Sequence, residues 1–420
     1  MPSELVIPAA ARPDRRIHRI QAGTPEFKRT NLALFLGGFS TFWLLYWVQP
    51  LLPLFARVFG ISPAASSVTL SAATGALALA LIPASLLADR FGRKPVMCCA
   101  MFAAAILTML TAAAPDYSSM LVLRALSGMV LAGLPAVAMA YLGEEIDPAS
   151  LGAAMGVYIA GTALGGMSGR LATSFIADFT SWRLAGALVG GTGLIAATVF
   201  WRNLPASRHF VARPLPSSRA GRLALAQAIR ALFADAGLPW LFCVGFLLMG
   251  CFVSLYNYIG FRLERAPFNL SDAAIGCIFA LYLVGTVAST WSGRLADRIG
   301  RRRVLWGTKI LMLAGLVLTL SDWLAMVVVG IGLFTFAFFA GHTTASSWVG
   351  RRAGPAKALA SALYLSAYYL GSSLVGSLSG LFWHRGGWAG VATALIVILL
   401  LSIAVAWRLR SLPVKQWASA

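Results

Sequence analysis

LLADRFGRKPVM (86–97) and RLADRIGRRRVL (294–305) are two copies of one basic segment, with Asp89 and Asp297 standing 208 residues apart in a chain of 420. Each copy lies between long apolar stretches, and those stretches decide the fold. Hydrophobic residues make up 59% of the chain and charged residues only 11%, against about 25% charged in an ordinary globular protein. Crossing roughly 30 Å of hydrocarbon takes about 17–25 apolar residues. Twelve stretches meet that requirement: 31–54, 66–87, 96–114, 117–142, 151–177, 184–202, 239–261, 271–293, 304–320, 323–349, 358–382 and 388–407. Each must be a helix, because open backbone finds no hydrogen-bond partner in lipid. Transmembrane strands would be shorter and would alternate polar with apolar residues. The sequence therefore predicts an all-α membrane protein with twelve transmembrane helices.

Lys and Arg total 34 against 14 Asp and Glu, a formal net charge of +20. In a soluble protein that balance points to nucleic acid, but a chain this apolar has no soluble surface to display it. Sorting the charges by side explains them instead. With the amino terminus inside, the tail, the even-numbered connections and the carboxyl terminus hold 27 Lys/Arg, counting Lys309 at the start of span nine, and nine acids. The opposite loops hold five of each, and Arg124 and Arg170 remain within spans. Such a gathering of positive charge marks cytoplasmic loops, so both termini are expected inside, and no nucleic-acid partner is expected. Residues 1–30 carry six Lys/Arg and no apolar core of signal-peptide length. The five cysteines all fall inside spans and read as small buried hydrophobes rather than disulfides or metal ligands.

The repeat divides the chain. PDY (115–117) sits opposite SDW (321–323), and Trp182 opposite Trp388. The expected organisation is a cytoplasmic tail (1–30), a six-helix bundle (31–203), a basic linker (204–238), a second six-helix bundle (239–408) and a second tail (409–420). The linker, with Arg202 at its edge, carries six arginines; GRLALAQAIRALF (221–233) within it is amphipathic enough to lie on the inner leaflet, or serves as a solvated connection. Two pseudo-symmetric bundles are the arrangement in which a substrate site lies between rocking halves.

With these features the chain resembles the major facilitator superfamily. The family's loop pattern Gly-x-x-x-Asp-Arg-x-Gly-Arg-Lys/Arg is complete in the second copy: Gly293, Asp297, Arg298, Gly300, Arg301 and Arg302. The first copy has Ser85 in place of the leading glycine, then Asp89, Arg90, Gly92, Arg93 and Lys94. RALSG (124–128) is similar to the family's intramembrane Arg-x-x-x-Gly. GTALGG (161–166) is similar to the antiporter signature Gly-Pro-x-x-Gly-Gly, with Gly161, Gly165 and Gly166 retained and Thr162 in place of proline. Segments such as TPEFKRTNLALF, YLGEEIDP and YLSAYYLGSS are similar to bacterial YnfM-type inner-membrane transport proteins, a branch grouped with multidrug and sugar efflux transporters. The resemblance covers 28–410 and implies an inner-membrane location.

The repeated loops read as an inner latch. Asp89 and Asp297 stand where a carboxylate can meet the amino terminus of a neighbouring helix, and Arg93 can reach Glu144 or Glu145. The family implies that this latch holds the outward-open state. The alternative is that these charges only orient the loops. Arg124 lies about 10 Å into span four, where a charge usually faces a cavity or partner. The resemblance implies a role in proton coupling, although arginine cannot release a proton in a protein. Truncating Arg124 is expected to stop transport and spare the fold. Arg170 lies at similar depth, with Asp178 within reach as a partner, and is functional or structural. No Asp or Glu lies mid-membrane. His342 is the imidazole of the interior, suited to proton exchange or to a bond between helices; Glu144 and Glu145 are the other candidate carriers.

The expected substrate lining is polar and aromatic: Phe42, Tyr46, Gln49 and Pro53 on span one, Tyr256 and Asn257 on span seven, and Tyr364, Tyr368 and Ser372 on span eleven. Such stripes also serve plain helix packing. No Gly-x-x-x-x-Gly-Lys loop, metal cluster or nucleophile–base pair is present, so the chain reads as no enzyme and needs no cofactor. The expectation is a monomeric secondary transporter in the lipid bilayer, working by alternating access and coupling protons to efflux of a small-molecule substrate. Uptake or facilitated diffusion of a neutral or anionic metabolite is the competitor within transport; a non-transporting sensor or scaffold is the competitor outside it.

Overall fold

The computed structural model describes residues 19–212 and 219–411. Parts of both expected tails and of the linker (1–18, 213–218 and 412–420) lie outside the described residues.

The described residues are helical almost throughout. Span one is α1 (Pro25–Tyr46) followed by a 3₁₀ turn and α2 (Leu52–Val58). Spans two and three are α3 (Pro63–Phe91) and α4 (Arg93–Ala112). Span four is α5 (Tyr117–Leu131) plus α6 (Pro135–Glu145), and spans five and six are α7 (Pro148–Phe179) and α8 (Trp182–Asn203). The linker helix is α9 (Arg219–Phe233). In the second half, α10 (Leu238–Leu263) is span seven. Span eight is α11 (Asp272–Cys277), a 3₁₀ turn and α12 (Tyr282–Ile299). Spans nine and ten are α13 (Arg301–Leu318) and α14 (Leu324–Ala353). Spans eleven and twelve share α15 (Lys357–Arg410), which breaks at Gly386 and Gly387, where the dihedrals leave the helical region.

By length and composition eight helical runs qualify as spans. Twelve result because the run Leu324–Arg410 holds spans ten to twelve, span four is split at Pro135, and α13 carries four basic residues. The interruptions in spans one and four have a visible cause. Pro50, Pro53 and Pro135 offer no N–H to the preceding turn.

Polar caps start the helices. Ser62, Asp116, Ser181 and Ser271 each accept a backbone N–H from the first turn of spans two, four, six and eight. These four caps share one end of the molecule. The opposite end, called here the basic face, gathers the repeated loops, the linker and the first described residues: Ile20 N–H donates to Glu145 O (2.9 Å), and Arg208 pairs with Glu26 (2.7 Å). Gly92 and Gly300 occupy matching places in the repeat, with φ of +100° and +88°. Each ends one helix and opens the next, in backbone that side-chain-bearing residues avoid.

GTALGG brings α7 onto α1. A methyl group at Gly161 or Gly165 would overlap the carbonyl oxygens of Phe35 and Phe39, so the small residues permit backbone-to-backbone contact. The two bundles meet along α3 and α15, where Ser373 Oγ donates to Ser71 O (2.8 Å), and at Tyr258, whose hydroxyl reaches Ser67 Oγ (3.1 Å). The amphipathic segment lies within α9. Phe233 at its end packs edge-on against Phe242 (5.6 Å), and Asp235 accepts from Gly237 and Leu238 N–H at the start of α10. The cysteines depart from expectation. Cys98 and Cys251 are buried and Cys243 is half-buried, but Cys99 and Cys277 are exposed on the outer faces of their helices; all five are free thiols.

Gly165→Ala is expected to destabilise the detergent-solubilised protein by about 1–3 kcal/mol, the usual cost of overpacking. Gly191→Ala, where an added methyl meets open space, should change little. Thermal unfolding followed by size-exclusion chromatography distinguishes the two.

Candidate functional site

The site begins where span one breaks. A helix ends with four carbonyls that have no partner of its own, and the end of α1 lies inside the bundle. Arg124, fully buried, supplies the missing donors. Its Nη1 donates to Leu44 O (3.1 Å), its Nη2 to Leu45 O, and its Nε to Thr69 O on α3 (3.3 Å). A cation on the carbonyl end of a helix also meets the favourable end of its dipole. RALSG therefore ties spans one, two and four together, and all of Arg124's bonds go to backbone.

Arg170, on α7, stands between the bundles. Its Nε donates to Gln49 Oε1 (2.6 Å) and its Nη1 to Gly166 O (2.5 Å). The guanidinium lies 4.1 Å from the Tyr46 ring centre, 4.6 Å from Tyr282 and 5.5 Å from Phe279, within range for cation–π attraction. Gln49 Nε2 in turn donates to Asn257 Oδ1 (2.8 Å). A polar chain thus runs from span five through span one to span seven, across the two halves. The Tyr46 and Tyr282 hydroxyls and Asn257 Nδ2 are buried with no hydrogen-bond partner among the described residues. Asp178 does not pair with Arg170. Its Oδ2 accepts Ala273 N–H (3.4 Å) at the start of span eight, two turns beyond the guanidinium.

The second half contributes aromatic side chains and two titratable groups. Tyr256 bonds Thr335 Oγ1 (2.8 Å) and packs against Phe279 and Tyr282 (5.2 and 5.1 Å). His342 Nδ1 is 3.0 Å from the Tyr364 hydroxyl, and its ring lies 4.7 Å from that of Tyr368. The candidate residues of spans ten and eleven are therefore one cluster, and Tyr368 neighbours Tyr46 and Tyr282 across the centre.

Lys309 corrects the charge ledger. Counted with the basic loops, it is instead fully buried in α13, and its Nζ has no hydrogen-bond partner among the described residues. It lies within electrostatic reach of His342 and Cys251. Leu305, Thr308 and Met312 on the same helix are buried as well, so this stretch of α13 lies inside the bundle. Tyr282, Phe279 and Lys309 were missed from the sequence. Only the helical spacing of Phe279 and Tyr282 hinted at a shared face.

At the basic face the latch residues pair within each half. Arg93 bridges Asp89 (2.5 Å) and Glu144 (2.8 Å). Arg301 meets Asp297 (3.1 Å). Neither aspartate caps a neighbouring helix as expected; each is taken by the arginine four residues on. Arg90 lies over the Phe91 ring, Arg298 is exposed, and Gly293 has no close neighbour. Glu145 accepts from His209 N–H (2.8 Å) and faces its ring (3.1 Å). Both glutamates thus belong to the latch and the linker, away from the central cluster. At the opposite end the halves are joined by Arg57, which pairs with Glu264 and with Asp272 (3.5 Å). Gln49–Asn257 and Tyr258–Ser67 likewise join the two halves.

Two six-span bundles with a polar centre between them, in which no Asp or Glu lies among the described residues, are the architecture of a secondary transporter. The Major Facilitator Superfamily profile matches residues 34–266 and 263–419, and the chain belongs to that superfamily. It is 46% identical over 390 residues to the inner membrane transport protein YnfM of Escherichia coli (strain K12), covering 93% of this chain and 92% of that one. It is 44% identical to the MFS-type transporter YybF of Bacillus subtilis (strain 168), covering 91% and 94%. Among solved structures, a bacterial homolog of the human lysosomal transporter Spinster, in an inward-facing and unoccupied conformation, superposes with a TM-score of 0.75 at 16% identity, covering 92% of this chain and 98% of that one. The human organic anion transporter MFSD10 (TETRAN) gives 0.71 at 17%, covering 91% and 100%. The protein is thus a multi-pass transporter of the inner-membrane type and not an enzyme.

The geometry changes what truncating Arg124 should do. Arg124→Met orphans buried carbonyls at about 1–3 kcal/mol each, so it should lower thermal stability markedly. Arg170→Met leaves fewer backbone groups unpaired, and should keep most of the stability while losing transport. Melting curves of the two variants, set beside their transport rates, check this ordering.

Proposed function

We propose that this protein is a proton-coupled secondary transporter that works by alternating access and exports a small organic compound. The observation that carries the reading is the setting of Arg170. A buried guanidinium lies between the bundles, faced by Tyr46, Tyr282 and Phe279 and joined through Gln49 to Asn257. Two tyrosine hydroxyls and an amide beside it have no partner, and buried polar groups are normally paired. A planar or aromatic compound bearing an anionic or strongly polar group would satisfy them. A cation would find no carboxylate there. Because Arg170–Gln49–Asn257 crosses the halves, a ligand that takes over one of these bonds loosens the tie between them. Alternating access requires two states within a few kcal/mol of each other.

Arginine does not release its proton, so coupling falls to groups that can. His342 and Lys309, within electrostatic reach of one another on spans ten and nine, are the pair we assign to it. The basic face is taken as cytoplasmic, with both termini inside. One chain holds the whole pathway, in keeping with a monomer. The second reading, uptake or facilitated diffusion of a neutral or anionic metabolite, is favoured by Thr162 in the place of the antiporter proline.

Proteoliposomes with an imposed pH gradient, offered a panel of aromatic carboxylates and neutral sugars, test the assignment. Substrate should move against the proton flow, and Lys309→Met should remove the gradient dependence while leaving substrate exchange intact. Flux indifferent to the size and direction of the gradient would favour facilitated diffusion.

A further inference from the structure

A pocket of about 1270 Å³ opens at the basic face of the second bundle, between the start of α13 and the ends of α14 and α15. Six arginines line it: Arg301, Arg302, Arg303, Arg351, Arg352 and Arg410. None of the described residues lining it is acidic. Asp297 and Asp235 reach Arg301 and Arg352 from the side (3.1 and 2.5 Å), and Arg351 meets no carboxylate among the described residues. Three tryptophans complete the walls. Trp348 is half-buried, whereas Trp306 and Trp407 are 46% and 66% exposed. Exposed indoles at a helix end mark the depth of the lipid headgroups.

The internal repeat shows what this pocket lacks. In the first bundle Arg93 occupies the place of Arg301, and its Nε donates to Glu144 (3.2 Å). Lys94 reaches the carbonyl of Leu204 at the end of span six, just as Arg302 reaches that of Arg410 (2.7 Å) at the end of span twelve. The two sites are built alike up to that point, and there they part. Phe210 covers Arg93 (5.7 Å) and His209 binds Glu145, so linker side chains and two glutamates surround the Arg93 guanidinium; a smaller pocket of about 680 Å³ remains beside Lys94 and Leu204, with Glu26 in its wall. In the second, Arg351 and Arg352 lie at the end of span ten, where span four ends in Glu144 and Glu145. Arg301 Nε is buried with no hydrogen-bond partner. Among the described residues no carboxylate stands where the first half supplies Glu144.

We propose that this pocket binds an anionic phospholipid of the adjoining leaflet, its phosphate on Arg301 and Arg351 and its acyl chains passing Trp306 and Trp407 into the bilayer. A phosphodiester supplies acceptor oxygens matched to guanidinium donors, and basic pockets between transmembrane helices suit such headgroups. The tryptophans favour a lipid over a soluble phosphate, because a free ion gains nothing from indoles at the mouth of its site.

The test uses the full-length protein in detergent, titrated with phosphatidylglycerol, phosphatidylcholine or inorganic phosphate, with binding followed by native mass spectrometry and by thermal stability. Phosphatidylglycerol should bind and stabilise at far lower concentration than either of the others. Arg301→Gln with Arg351→Gln should weaken that binding roughly tenfold or more. Arg222→Gln with Arg230→Gln, which removes the same charge from α9, should leave it unchanged. Should the double variant fold poorly, Arg351→Gln alone, at an exposed position, should weaken binding in the same direction. Equal affinity for phosphatidylcholine, or an equal loss in the α9 variant, would reduce the effect to general surface charge and overturn the proposal. Competition by inorganic phosphate at matching concentration would make it a soluble-anion site instead. Phosphatidylglycerol binding that appears only after removal of residues 412–420 would assign the pocket to the chain's own terminus, and would likewise overturn it.

Discussion

A helix that stops inside a bilayer leaves carbonyls facing a medium that offers them nothing. Span one stops in this way at Tyr46, ahead of Pro50, and Arg124 reaches across from span four to take the carbonyls of Leu44 and Leu45. Much of the centre depends on that contact. The break turns Gln49 out of the α1 helix, into reach of both Arg170 and Asn257. It leaves Tyr46 at the helix end, under the Arg170 guanidinium. The backbone contact of α7 with α1 at Gly161 and Gly165 sets the distance from which Arg170 reaches them. A charged side chain in the membrane is normally read as functional. Arg124 shows the other possibility, in which the charge makes a broken helix tolerable and the break makes the site.

Arg124, Arg170 and Lys309 are all buried within spans, and no carboxylate accompanies them. Each is accommodated differently. Arg124 is bonded to backbone oxygens throughout. Arg170 is bonded on one side and faces aromatic rings on the other. Lys309 has no hydrogen-bond partner among the described residues. Burying a charge without an answering one is costly, so an unpaired buried lysine is favoured in its neutral form, whereas the two arginines keep their charge.

The fold was largely readable in advance because a transmembrane span is a sum over some twenty residues, and a few misplaced ends do not disturb it. The repeat of Asp89 and Asp297 made the two-bundle architecture plain. The site was readable only in part. Arg124, Arg170 and His342 declared themselves as polar groups in apolar stretches, and Tyr46, Gln49, Tyr364 and Tyr368 as stripes. Their partners did not, because partners are set by tertiary contact. Asp178 is close to Arg170 in sequence and bonds elsewhere, while Tyr282 is 112 positions from Arg170 and lies against it. Lys309 was misjudged for a different reason. Three arginines at 301–303 make the start of span nine look longer on the wet side than it is, and one turn of error moves a lysine from the surface to the core.

The two bundles agree where the backbone dictates and differ where charge does. Gly92 and Gly300 turn the chain alike, and Lys94 and Arg302 cap the ends of spans six and twelve alike. Arg93 and Arg301 start from the same position, yet only Arg93 finds a glutamate across the bundle. A latch whose halves were identical would give each bundle the same internal hold on its basic end. In this chain the first bundle braces Arg93 with both Asp89 and Glu144, whereas Arg301 of the second meets Asp297, with no glutamate across the bundle among the described residues, and the linker's Asp235 holds Arg352 instead. The energy of the second bundle's basic end therefore depends on what the membrane brings to it. If the pocket takes an anionic lipid as proposed, lipid composition acts on the second bundle's basic end, and so on the balance between the two states that alternating access requires.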